Sequence, residues 1–220
     1  MQNYDFKVKI NGTQLEKCSS YKYLGLHFDD NLNWKSHINY VVKKVSKMCR
    51  ILSKLRHSVD INILKTVYYA LGYSYIRYGN IVWGCADKSV LEPLVKLQNR
   101  IIRIMTFAPF GKVDLDPVYR DLKILGLPEM NFLEKAKFMH KYKNGKLPII
   151  FDEYFQNSEV VSHSYNLRRI TPQRPILSSY AEKMIRHNGI AIWNAVPEEL
   201  KTIENIKTFS FRIKKDILLA

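Results

Sequence analysis

Cysteine is scarce and badly placed for structural chemistry. Cys18, Cys49 and Cys85 are odd in number, far apart and without a C-x-x-C spacing, which excludes a disulfide framework and a zinc site. The six histidines are scattered, with no pair at metal-ligand spacing. No apolar run approaches the roughly 18 residues of a membrane-spanning helix. The opening MQNYDFKVKI has no apolar stretch to act as a signal peptide. Reduced thiols and the missing leader point to an intracellular chain, of the nucleus or cytoplasm, with no membrane partner. No G-x-S-x-G, H-E-x-x-H, P-loop or dinucleotide motif is present, and no repeat or low-complexity segment. Nothing brings Ser, His and Asp together, so the catalytic and metal-ligating sets are both empty. Acid is scarce too: 20 Asp and Glu against 35 Lys and Arg leave a formal charge of +15. That imbalance selects nucleic acid or another acidic surface.

What is present is a globular composition. With 220 residues, 46% hydrophobic, the chain is long enough to bury roughly 70% of its unfolded surface. It is organised around residues 21–58. Tyr21 to Phe28 is a short apolar segment, Asp29-Asp30-Asn31 a turn, and the rest has the period of one long helix. Trp34, Ile38, Val41, Val45, Met48, Leu52 and Leu55 alternate steps of four and three, which keeps them on one buried stripe. The other side carries Lys35, Lys43, Lys44, Lys47, Arg50, Lys54 and Arg56, with no acid between Trp34 and His57. A solvated face usually mixes signs, because Glu before Lys supports a helix. A uniformly cationic one is suited to a polyanion. An anionic membrane or a protein partner would also suit it, although a strict stripe opened by Trp resembles a seam packed in protein.

Upstream, Phe6, Val8 and Ile10 alternate with Lys7 and Lys9 as a half-buried strand. Asn11-Gly12 supplies a hairpin turn, Thr13–Cys18 returns, and Tyr21–Phe28 adds a third strand to one antiparallel sheet. Downstream, Asp60 caps a helix to about Arg77 with Leu64, Val67, Tyr68, Leu71 and Tyr75 on its inner side. NIVW between Gly79 and Gly84 is a turn with Trp83 buried. A helix from Ser89 to Thr106 buries Leu91, Leu94, Leu97, Ile101, Ile104 and Met105, and Lys96, Arg100 and Arg103 form a second cationic row. Gln98 and Asn99 between them are solvated or reach bases. The composition shifts at Pro109-Phe110-Gly111, a domain boundary. Asp116-Pro117 and Leu127-Pro128 open further helices, the second with Phe132, Leu133, Ala136, Met139 and His140 inward. Residues 156–178, with Arg168, Arg169 and Arg174, are an irregular basic segment. Short helices over Ile190–Ala195 and Phe209–Leu219 close the chain. The fold class is mainly α (α+β), with segments 1–33 (small sheet), 34–110 (helical) and 111–220 (helical).

Asp29-Asp30 after a strand has the form of a two-metal phosphoryl-transfer site. Such a pair needs another carboxylate from a neighbouring strand, and the hairpin offers only Asp5 and Glu16. Asp-Asp-Asn before Trp34 is more economically a turn and helix start, where acid favours the dipole.

YKYLGLHFDDNLNWKSHI (21–38) resembles the end of the palm in reverse transcriptases of non-LTR retrotransposons of the LINE or jockey-like kind. YYAL (68–71), YGNIVWG (78–84) and LVKLQNRIIRIMT (94–106) are similar to the thumb and post-thumb segments that follow. PVYRDLKILGLPEMN (117–131), SYNLR (164–168) and IAIWNAVPEELK (190–201) extend the likeness in the same order. The resemblance implies the C-terminal part of an RNA-directed DNA polymerase whose catalytic palm aspartates lie elsewhere. Asp29-Asp30 is then not the catalytic pair. Tyr23, Leu24 and Gly25 would sit near the primer terminus, segment 1–33 would be residual palm and 34–110 the thumb, its long helix tracking RNA, DNA or an RNA–DNA hybrid. No cofactor is expected in this part, whereas the complete family enzyme would use Mg. The alternative is a non-enzymatic basic helical module for RNA, DNA or protein binding. The oligomeric state is not legible.

Overall fold

The computed structural model describes residues 8–109, 111, 114–156 and 183–219; the basic run containing Arg168, Arg169 and Arg174 lies outside them. Strands β1 (Lys9–Ile10) and β2 (Thr13–Gln14) pair antiparallel across Asn11-Gly12. Both turn residues have positive φ, 50° and 80°, the geometry that Asn-Gly favours. A second pair, β3 (Ser20–Tyr23) and β4 (Leu26–Asp29), turns at Leu24-Gly25, with φ 45° and 81°. The expected single three-stranded sheet is therefore two separate two-stranded ones. Tyr21–Phe28 is a hairpin and not one strand, because Leu-Gly makes the same tight turn as Asn-Gly without its sequence signature. Nor is the first strand half-buried: Val8 and Ile10 are 52% and 58% exposed. Cys18 is exposed as well, whereas Cys49 and Cys85 are buried. Only β4 enters the core, through Leu26.

Helix α1 (Lys35–Leu55) buries Ile38, Val41, Val45, Met48 and Leu52 as the stripe requires, with Trp34 buried at its start and His37 and Cys49 added. Leu55 is half-buried. Asp60 caps α2 (Ile61–Tyr68), accepting from the backbone N–H of Asn62 (2.7 Å) and Ile63 (3.1 Å). A π-helical turn, Tyr69–Tyr73, then leads into α3 (Ser74–Arg77) and α4 (Asn80–Trp83). A π turn inserts an extra residue and rotates everything beyond it. The buried line therefore runs Leu64, Tyr68, Gly72, Ile76, Asn80, in steps of four, and the expected inner residues Leu71 and Tyr75 face out at 43% and 38% exposure. Trp83 is buried as expected.

Helix α5 (Lys88–Thr106) packs along α1 and buries Leu94, Leu97, Ile101, Ile104 and Met105. Gln98, expected to be solvated or base-facing, is 1% exposed. Its amide donates to the Tyr68 hydroxyl (3.0 Å) and the Leu125 carbonyl (2.9 Å). Asn99 accepts from the Tyr119 hydroxyl at 2.8 Å. Beyond lie α6 (Asp116–Leu122), α7 (Leu127–Lys143), α8 (Ile150–Gln156), α9 (Ile185–Asn194), α10 (Glu198–Lys201) and α11 (Ile206–Leu219). Helix α7 packs against α4, α9 and α11. Its His140 donates Nε2–H to Ile203 O at 2.6 Å and stacks on Phe209, rings 4.3 Å apart. The fold is mainly α with two small sheets near its start.

Candidate nucleic-acid interface

Steps of four, three and four put Lys43, Lys47, Arg50 and Lys54 on one line of α1. All four are exposed. None is in an ion pair among the described residues, in contrast to Arg77 with Glu134 or Lys183 with Asp87. Lys35 is also exposed, about two turns before this row. Lys44 is rotated to the flank, its Nζ 5.5 Å from the centre of the Tyr40 ring. Arg56 leaves the face altogether. Its guanidinium lies 3.7 Å over the Phe107 ring beyond α5, because position 56 stands four residues after Leu52, on the line of the buried stripe. A shallow cavity of about 510 Å³ runs beside the row, with Tyr40 at one end and Lys43, Lys47 and Arg50 along it.

The row expected on α5 is mostly committed elsewhere. Lys96 pairs with Glu92 at 2.7 Å. Arg103 donates from Nε to Pro109 O (3.2 Å) and from Nη2 to Gly111 O (3.1 Å), pinning the segment after the helix. Arg100 remains exposed, close enough to Cys49 that its charge opposes the burial which raises that thiol's pKa.

At the start of α1 the Tyr23-Leu24-Gly25 turn projects into solvent, with Tyr23 59% and Leu24 71% exposed. Tyr78 underlies it. Its hydroxyl donates to Leu24 O at 2.5 Å, and a Cβ on Gly25 would come within 3.2 Å of its ring. The next residue, Gly79, lies against Leu26, so closely that a Cβ would be 2.8 Å from Leu26 Cδ2. Between this turn and α3 opens a cleft of about 290 Å³ lined by Gly25, His37, Tyr40, Ser74, Tyr75 and Tyr78, with Val41. His37 is 2% exposed. Its Nδ1 accepts from the His27 backbone N–H at 3.4 Å, and Nε2 has no partner. Desolvation, with the His27 ring adding to it, lowers the His37 pKa to about 4, so the cleft floor is uncharged at neutral pH. The sequence places Gly25 near the primer terminus and Val41 on the buried stripe, and carries His37 and Tyr78 only as members of their blocks; Tyr40 and Ser74 have no site assignment there. Tyr75 was assigned to the core, and only the π turn brings it out.

Asp29 ends β4 and is 8% exposed. Its Oδ1 accepts from Asn33 N at 2.7 Å, and Oδ2 is buried without a partner. Asp30 points to solvent and accepts from Asn31 Nδ2 at 3.0 Å. The pair therefore shapes the turn, as expected. It does not place acid in the first turn of α1, where there is none. Asn33, one residue before the N-cap Trp34, accepts at Oδ1 from Lys35 N at 2.9 Å. Among the described residues no group of His, Cys, Asp or Glu is arranged to hold a metal ion.

The chain is similar to known proteins over part of its length. Over 172 residues the chain is 23% identical to a probable RNA-directed DNA polymerase from transposon BS of Drosophila melanogaster, covering 77% of this chain and 17% of that protein. It is 29% identical over 134 residues to the RNA-directed DNA polymerase from mobile element jockey of the same species, covering 58% and 14%. The jockey polymerase of Drosophila funebris is 27% identical over 138 residues, covering 61% and 15%. The chain is reverse-transcriptase-like. The non-LTR resemblance of the sequence blocks is thereby supported, and this reverse-transcriptase-like chain spans about a sixth of the length of the polymerases it matches. No family model matches it, and no solved structure does. Among the described residues no helix is long and apolar enough to cross a membrane.

Proposed function

We infer that this chain is the template–primer-handling, C-terminal part of a retrotransposon RNA-directed DNA polymerase, with its thumb over 34–110 and without catalytic aspartates of its own. The row Lys43, Lys47, Arg50 and Lys54 carries this reading. Four exposed cations on one helix line, with no carboxylate partner, meet the phosphates of a duplex and bring little sequence preference. Lys35, Lys44 and Arg100 flank it. The Tyr23-Leu24-Gly25 turn stands at the end of the same helix, where the primer terminus belongs in this reading. Asp29 and Asp30 shape a turn in this reading, Asp29 through Asn33 N and Asp30 through Asn31.

The test is affinity for a blunt RNA–DNA duplex as a function of salt. If four phosphates are neutralised, log affinity falls against log salt with a slope of about −3.6 for B-form geometry, from roughly 0.9 per contact. Replacing the four row residues by Gln keeps good helix formers and flattens that slope. Lys88, Lys141, Lys207 and Lys215, all exposed and off this face, are the charge-matched control. Equal loss from both quadruple variants would mean that only net charge matters. Primer extension by the chain alone, abolished by Asp29→Asn, would restore Asp29 as a metal ligand and overturn the non-catalytic reading.

A further inference from the structure

We propose that the cleft between the Leu24-Gly25 turn and α3 takes one unpaired nucleobase at the end of the duplex carried by α1, so that the preferred ligand is a duplex with an overhanging nucleotide. This rests on the nucleic-acid reading above and adds to it a second kind of contact. The cationic row and the cleft are built from different chemistry. No charged side chain lines the cleft, and His37 at its floor is held neutral by burial. Phosphate has no counter-charge there. The walls are instead the rings of Tyr40, Tyr75 and Tyr78, the last two 38% and 55% exposed. Exposed tyrosines beside a basic track are the arrangement that stacks unpaired bases, because every base has a π face.

Continuity names the occupant. Tyr40 lines both the cleft and the cationic cavity, and Lys43 is the next residue of the row. A strand whose phosphates lie along Lys43 to Lys54, about 16 Å at 1.5 Å per residue, therefore delivers its following nucleotide to Tyr40. A base within the duplex is paired and stacked on both sides, so only a terminal unpaired one is free to enter. The outward turn of Tyr75 is not incidental packing, since the π turn that rotates it also exposes Leu71 on the same line.

The full chain is tested by fluorescence anisotropy against three RNA–DNA duplexes: blunt, with a single 3′-overhanging adenine, and with the same overhang abasic. The adenine overhang is expected to bind roughly fivefold or more tightly than the abasic one, from about 1 kcal/mol or more of stacking per base. 2-Aminopurine at the overhang should lose fluorescence on binding to the unaltered chain. Tyr75→Leu should erase the adenine preference while blunt-duplex affinity and salt slope stay. Tyr75→Phe, which keeps the ring, should retain it. Equal affinity for adenine and abasic overhangs with normal blunt-duplex binding would overturn this inference alone. Failure to bind any of the three would overturn the underlying nucleic-acid reading together with it.

Discussion

The hydroxyl of Tyr78 donates to the carbonyl oxygen of Leu24 at 2.5 Å, across 54 residues of sequence. Two of the blocks that carry the reverse-transcriptase resemblance, Y-L-G-L and Y-G-N, thus form one contact. Leu24 sits at φ 45°, a conformation a Leu seldom adopts, and Tyr78 holds the turn that requires it. Tyr78→Phe removes only the hydrogen bond and should cost about 1 kcal/mol in urea denaturation. Gly79→Ala should cost more, because a Cβ there meets Leu26 at 2.8 Å and φ is +63°. The reverse order would show that the hydroxyl, and not the close approach of the backbone, fixes the turn.

His37 gives the fold a pH dependence of definite sign. Its folded pKa, about 4, lies below the ordinary value near 6.5, so between these the unfolded chain binds more protons. Stability from the buried neutral ring is complete above pH 6.5 and is lost as pH falls towards 4. The full loss is roughly 3 kcal/mol at about 1.4 kcal/mol per pKa unit. His37→Phe keeps a buried ring and should flatten the dependence. Identical pH profiles for the two proteins in that window would refute the assignment.

The two hairpins should differ sharply in their response to substitution. Ile10 is 58% exposed, and Ile10→Thr is expected to stay within about 0.5 kcal/mol of the parent. Leu26 is 8% exposed and belongs to the core, so Leu26→Ala should cost about 2–4 kcal/mol. Comparable losses in thermal denaturation would mean that the first hairpin is covered in solution.

Gly72 in the π turn faces Met48, whose Cε would lie 2.5 Å from an added Cβ. Gly72→Ala should therefore destabilise, and the effect should couple to Met48. With Met48→Ala in the background the same change should be milder, the cycle showing a coupling of about 1 kcal/mol. Strict additivity would indicate that the Met48 side chain moves aside without cost.

Helix α1 was legible because one unbroken 3.6-residue period spans it, and six of its seven predicted stripe residues are buried. Its cationic face was legible for the same reason, apart from Arg56, which stands four residues after Leu52 and lies over Phe107. What periodicity missed lies where the period changes. The π turn shifts the phase after Tyr68 by a single residue, which no apolar pattern announces, so an unbroken period predicts Leu71 and Tyr75 inside. Leu24-Gly25 lacks the Asn-Gly signature of a tight turn, so the apolar pattern of 21–28 predicts one strand where a hairpin forms. Gln98 is polar by composition but buried through two hydrogen bonds whose partners lie about thirty residues to either side. The cleft at Tyr40, Tyr75 and Tyr78 depends on the first two of these features together.

The three cysteines have a practical consequence. Cys49 and Cys85 are shielded in the core, whereas Cys18 is open to solvent two residues before β3. A thiol-reactive dye should therefore attach at one position of the unmodified chain, at the open end of the β3–β4 hairpin whose turn borders the cleft. An acceptor on the overhanging nucleotide would then report arrival of that end by energy transfer, with no engineered residue in the protein.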